Sequence, residues 1–175
     1  TVFVEITTAH QTCSREKLSE ACSVVQRAVP SKSTIPALEG ILLTAKDGTL
    51  TLSGYDMQMG IKTSISADIK TEGAVIINAK LLTDITRRMP ADEVSLECDD
   101  KYTVLIKSGE AEYSVIGFSA EEYPDIPIVD GGKNAELSGE LLRSMIQQTI
   151  FAVSQNDSKP VHTGILFEID DNSIR

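Results

Sequence analysis

Tryptophan is absent from these 175 residues, and phenylalanine and tyrosine contribute four each. Any core must therefore be largely aliphatic. There is no run of about 18 apolar residues, the length a membrane-spanning helix needs. The chain does not open with a basic-then-apolar stretch of the kind that marks a secretory leader. Only three cysteines occur, Cys13, Cys22 and Cys98, widely spaced and odd in number. They form no CxxC pair and no disulfide framework, which points to a reducing compartment and to thiols used as small apolar side chains. His10 and Cys13 stand in an HxxC spacing, but two ligands do not make a metal site. Neither GxGxxG nor GxxxxGK[ST] is present, so no nucleotide-binding loop is indicated. The two histidines, His10 and His162, are far apart and have no triad context. The acid pairs Asp99-Asp100 and Asp170-Asp171 fall at turns, where acids are ordinary. No catalytic residue, metal or cofactor is expected.

What is present is a 41% hydrophobic composition, enough for a packed core, and a formal charge of −10. Taken alone, that charge argues against a nucleic-acid partner. Its distribution is uneven, however. Residues 110–130 carry Glu110, Glu112, Glu121, Glu122, Asp125 and Asp130 with no Lys or Arg, and residues 91–100 carry five acids with no base. Lys80, Arg87 and Arg88 stand together against the single acid Asp84, and Arg15, Lys17, Arg27 and Lys32 outnumber Glu16 and Glu20. An acidic protein segregated in this way can hold DNA on one face and repel it from the other.

Periodicity predicts a helix over Ser14–Val29. Ser14 is placed as its N-cap, Leu18, Ala21, Cys22, Val25 and Val29 form its apolar stripe, and Pro30 stops it. Strands are predicted at Leu38–Ala45, after the Asp47-Gly48 hairpin turn, through Met57–Ile69 and at Ala74–Ile77. A second helix over Ala79–Met89 has Leu81, Leu82, Ile85 and Met89 as its core positions. Three short strands follow at Val94–Glu97, Thr103–Ile106 and Tyr113–Ile116. The pattern is strand, helix, three strands, then the same again: an α+β module built twice. Residues 119–137, with Pro124, Pro127 and Gly131-Gly132, read as a linker. A third helix is predicted over Ser138–Val153.

A longer repeat crosses that linker. A shift of 124 positions aligns 14–50 with 138–174 without a gap, and ten of the 37 positions are identical, among them Ser14/Ser138, Leu18/Leu142, Pro36/Pro160 and Gly40-Ile41-Leu42/Gly164-Ile165-Leu166. Each copy reads as helix, Pro-containing loop, Gly-Ile-Leu strand and acidic turn.

Several segments, in order, resemble one family. VPSKSTIPALEGIL (29–42), LTAKDGTLTLSGYDMQMGI (43–61), INAKLLTDITRRMP (77–90) and SGEAEYSVIGFSAEEYPDIP (108–127) are similar to the first domain of the bacterial DNA sliding clamp, the DNA polymerase III beta subunit. DSKPVHTGILFEI (157–169) is similar to that family's second domain. The resemblance implies the clamp fold, with duplicated β-α-β-β-β modules, helices on an inner face and antiparallel sheets outside. It implies a first domain at 9–124, a linker at 125–137 and the start of a second domain at 138–175. Residues 1–8 would be an extension or artefact ahead of the domain.

The same resemblance implies a cytoplasmic, non-catalytic processivity factor, a homodimeric ring that encircles duplex DNA without sequence preference. Its partners would be the replicative polymerase, the clamp loader and other clamp-binding peptides, with no membrane. DNA contacts would fall on Lys32, Lys80, Arg87, Arg88, Asn156 and Lys159. A lone loop lysine such as Lys32 is ordinarily solvated surface, and only the resemblance gives it a role. Pro160 and Val161 follow Lys159, so base stacking is not expected. Tyr113 and Val115 would meet the third domain of another subunit, against the ordinary alternative of a core-facing pair. His162 would stand at the partner-peptide pocket, where the family often has an apolar residue. A scaffold of repeated α+β modules without DNA contact is the competing reading; it would show no salt-dependent affinity for duplex DNA.

Overall fold

The computed structural model describes residues 9–127, 136–156, 158–170 and 173–175. The expected extension, residues 1–8, lies outside the described residues, as do positions 128–135 of the expected linker. The chain divides into two units after Pro127.

The first unit runs β1 (Ala9–Ser14), α1 (Arg15–Val25), β2 (Gly40–Lys46), β3 (Thr49–Tyr55), β4 (Gly60–Ser66) and β5 (Asp68–Ile69). It then repeats that order as β6 (Gly73–Asn78), α2 (Ala79–Arg88), β7 (Glu93–Cys98), β8 (Thr103–Ser108), β9 (Ala111–Ile116) and β10 (Phe118–Ser119). The two five-stranded sheets are β5-β1-β7-β8-β9 and β10-β6-β2-β3-β4. Every pairing in them is antiparallel. Each half lends its leading strand to the other half's three-stranded meander. Neither module can close its own sheet, so the duplication folds as one body.

Local chemistry sets the details. Asp47 and Gly48 have φ of 50° and 71°, the left-handed pair that a two-residue hairpin turn requires, and they bring Lys46 opposite Thr49. Strand alternation sends Val94, Leu96 and Cys98, and Val104 and Ile106, into the core. Leu18, Ala21, Cys22 and Val25 of α1 and Leu82 and Ile85 of α2 join them in one cluster with Ile41, Leu43, Leu50 and Leu52. The buried threonines of α2 are satisfied within the helix: Thr83 Oγ1 donates to Ala79 O at 2.8 Å, and Thr86 Oγ1 to Thr83 O at 3.1 Å. Gly54 lets α1 settle on β3, because a Cβ there would lie 2.6 Å from the Val25 carbonyl oxygen.

Four sequence expectations for the first unit need correction. The first helix ends at Val25 and tightens into a 3-10 turn, Gln26–Ala28. Ser14 occupies its N-cap position but makes no side-chain capping bond. Leu81 is exposed, since it lies on the α2 stripe shared with Lys80, and the core side is carried by Leu82 and Ile85. Residues 119–127 are not a loose linker: Ser119 ends β10, Ala120–Glu122 is a 3-10 turn, and Tyr123 is buried with its hydroxyl donating to Ser53 O at 3.4 Å. Tyr123 and Ile126 pack into a second cluster with Leu38, Tyr55 and Ile76. Two prolines disrupt the periodicity there without freeing the segment.

In the second unit, α3 (Gly139–Thr149) and the 3-10 turns Ile150–Ala152 and Pro160–His162 are described, with a short hairpin of β11 (Ile169–Asp170) and β12 (Ser173–Ile174). Displaced by 124 positions, α1 and its 3-10 turn coincide with α3 and its own. Ser138 does cap, its Oγ accepting from Leu141 N at 3.2 Å. The expected Gly164-Ile165-Leu166 strand is not formed. In the first unit, Gly40–Leu42 is held by β6, and β3 joins from Leu42 onward. In the second unit the described pairing is confined to β11 and β12.

Candidate nucleic-acid interface

Both helices bury their stripes in the same cluster, so their outward faces share one surface. Arg87 spans them: its Nη2 donates to Ser23 Oγ of α1 at 3.4 Å. The exposed positions on this surface are Glu16, Lys17, Glu20, Val24 and Arg27 from the first helix and its turn, and Lys80, Leu81, Arg87 and Arg88 from α2. Half-buried Asp84 adds one further acid. Arg87 and Arg88 stand in the last turn of α2, where the carbonyl end of the helix favours positive charge. Arg15 is half-buried, with its Nε buried and without a hydrogen-bond partner.

Lys32 is exposed on the loop between the 3-10 turns Gln26–Ala28 and Pro36–Glu39. That loop borders a cleft of about 350 Å³ whose walls include Val29, Ser31, Glu39, Asn78 and Lys80. The Asn78 side chain caps α2, its Oδ1 accepting from Leu81 N at 3.1 Å. The first unit therefore gathers Lys32, Lys80, Arg87 and Arg88 around the helix pair. Lys17 and Arg27 belong with them, though sequence reasoning left them off the site. Helical phase could have found Arg27, which lies opposite the Leu18–Val25 stripe, while Lys17 flanks that stripe and is found by its exposure.

The remaining candidates lie elsewhere. Asn156, Lys159 and His162 are exposed in the second unit. Asn156 Oδ1 accepts from Ser158 N at 3.0 Å, and His162 N donates to Lys159 O at 2.9 Å. Tyr113 and Val115 lie on β9, the outer strand of its sheet. Val115 is 6% exposed and Tyr113 packs against the same core, so both side chains point inward. On the outward side, Glu112, Ser114 and Ile116 are exposed, and Glu112 pairs with Lys107 at 3.7 Å. Val115 is buried and Tyr113 half-buried, while Ile116 is 78% exposed on the opposite face of the strand. The acids Glu110, Glu112, Glu121 and Glu122 are exposed on β9, its turn and the 3-10 turn after β10, away from the helix pair in sequence and element.

Among the described residues, no group of three or more His, Cys, Asp or Glu is placed to hold a metal ion, and no helix is long and apolar enough to cross a membrane.

Residues 9–127 match the family model described as DNA polymerase III beta subunit, N-terminal domain. The chain is 36% identical over 165 residues to the beta sliding clamp of Synechococcus elongatus, covering 93% of this chain and 44% of that protein. It is 32% identical over 170 residues to the beta sliding clamp of Halalkalibacterium halodurans, covering 93% and 45%. Its fold is similar to the crystal structure of the DNA polymerase sliding clamp from Bacillus subtilis, with a TM-score of 0.89 and 29% identity over 94% of this chain and 45% of that one. The chain thus spans about half the length of the curated relatives it matches.

Proposed function

Because this chain belongs to the DNA polymerase III beta subunit family of sliding clamps, we propose that it works as part of a ring around duplex DNA. That ring tethers the replicative polymerase without catalysing a reaction itself. The observation that carries this reading is the excess of base over acid around the helix pair, Lys17, Arg27, Lys32, Lys80, Arg87 and Arg88 against Glu16, Glu20 and Asp84, in a chain of net charge −10. Encirclement retains the DNA by topology, so the phosphate contacts need not be tight. Weak contacts indifferent to sequence allow sliding, and acids elsewhere discourage DNA from other faces.

In this reading Asn156 and Lys159 extend the DNA contact from a second domain that begins near Ser138, and residues 9–127 are the first domain. The β9 edge offers unpaired main chain to another subunit in a homodimer. The clamp loader and polymerase dock through short peptides at a pocket to which His162 contributes. The setting is the bacterial cytoplasm.

The test is the salt dependence of binding to a fluorescein-labelled duplex of random sequence. Replacing Lys32, Lys80 and Arg87 together by Ala should lower the slope of log K against log salt by up to about 2.7, at about 0.9 for each phosphate no longer neutralised. A second duplex of unrelated sequence should behave identically. An unchanged slope would remove these residues from the interface, and no salt-dependent affinity at all would favour a scaffold without DNA contact.

A further inference from the structure

An acid stands beside the loop that carries Lys32, close to where the proposed DNA contact would bring a phosphate. Glu39 ends the 3-10 turn Pro36–Glu39 and shares the walls of the cleft with Ser31 and Lys80. Its Oε1 accepts from the main-chain N–H of Ser33 at 3.0 Å. Among the described hydrogen bonds of residues 30–34, this one reaches outside the loop; the other, from Ile35 N to Ser33 Oγ at 3.1 Å, is local. The peptide unit that Glu39 grips is the one joining Lys32 to Ser33. That unit is planar and rigid, so holding its N–H fixes the direction in which the chain leaves Lys32. Glu39 is half-buried, with one carboxylate oxygen committed to this bond.

We infer that Glu39 is a positioning residue for DNA binding: its carboxylate clamps the Lys32–Ser33 peptide and so aims Lys32 at the phosphate backbone. This rests on the reading that Lys32 contacts DNA. A negative charge near phosphates is repulsive if it does nothing else, so the two roles predict opposite signs. Removing a merely repulsive acid tightens DNA binding. Removing a clamp weakens it, despite the relief of repulsion, because Lys32 then samples many directions.

The experiment compares Glu39→Ala, Glu39→Gln, Lys32→Ala and the Lys32→Ala/Glu39→Ala double variant of the 175-residue chain. Binding to the random-sequence duplex is read by anisotropy across a salt series. Glu39→Ala should resemble Lys32→Ala, with the slope reduced by about 0.9 and affinity at 50 mM salt down on the order of tenfold. The double variant should be no weaker than Lys32→Ala. Glu39→Gln keeps an acceptor oxygen and should retain the parental slope, binding as tightly as the parent or more so. Hydrogen exchange at the Ser33 amide should be fast in Glu39→Ala and slow in Glu39→Gln, which checks the clamp independently of DNA. If Glu39→Ala binds more tightly, or keeps the full slope while Lys32→Ala loses it, the positioning role is wrong and the Lys32 contact stands. If Lys32→Ala itself leaves the slope unchanged, the Lys32 contact is wrong and the inference falls with it.

Discussion

Val115 and Ile116 are neighbours on one strand with opposite fates, and a pair of substitutions separates core from edge. Val115 is 6% exposed within the main core, whereas Ile116 is 78% exposed. Val115→Ala deletes two methyl groups. At about 0.8 kcal/mol each, the forfeited transfer energy is about 1.6 kcal/mol, and the cavity left behind raises the cost to roughly 2–3 kcal/mol. With an unfolding entropy of about 2.1 cal/mol/K per residue over a unit of about 120 residues, that corresponds to a fall in Tm of roughly 10 °C. Ile116→Ser removes no buried contact and should stay within about 0.5 kcal/mol of the parent. Urea and thermal unfolding followed by circular dichroism would measure both. A Val115→Ala chain as stable as its parent, beside a strongly destabilised Ile116→Ser chain, would refute the argument. It would mean that β9 is paired one residue out of register, which reverses every side chain on the strand. The same contrast bears on assembly. A Val115 variant that failed to associate with another subunit could have failed through unfolding, so the edge is better probed at Ile116.

The helix ends and the thiols supply the remaining tests. Asn78→Ala removes the bond that caps α2 and should cost about 1 kcal/mol, while Ser14→Ala, at a cap position without such a bond, should cost only a few tenths; urea midpoints of the two variants would show the difference. Burial pushes the thiol of Cys13 up to about 11, that of Cys22 to about 12 and that of Cys98 to about 11, against a usual value near 9. The native chain should therefore resist a thiolate-directed reagent at pH 8 until denaturant is added. Raised pKa values mean that the unfolded chain loses these protons first, so stability should be intact below about pH 9 and fall as pH rises towards 11–12. Rapid labelling of the folded chain at pH 8, or a flat stability profile above pH 9, would contradict the burial.

Much of the architecture could be read in one dimension because its causes are local. The hairpin at Asp47-Gly48 follows from two residues that tolerate positive φ. The helix α1 follows from the spacing of Leu18, Ala21, Cys22 and Val25, and the repeat that pairs it with α3 needs only alignment of the chain with itself. The gathering of Lys80, Arg87 and Arg88 on one stripe is likewise a matter of helical phase. What those residues bind was another matter: the composition pointed away from DNA, and the resemblance of several segments to a family pointed towards it.

Tertiary structure decided what depends on partners distant in sequence. Alternation alone could not say which way Tyr113 and Val115 point, since both faces of a strand are open until a core forms on one of them. Leu81 looked as apolar as Leu82, and only the position of the α2 axis over the sheets separates them. Pro124 and Pro127 suggested a free linker, yet Tyr123 and Ile126 find a pocket built by residues from β3, β6 and the 3-10 turn before β2. Gly164-Ile165-Leu166 has the same letters as Gly40-Ile41-Leu42, but a strand exists only where neighbours complete its hydrogen bonds. The exchange of leading strands between the two modules is also invisible along the chain. Each module specifies its own helix and meander, but the partner of a strand is chosen by the burial of both apolar faces at once, and that is a property of the folded whole.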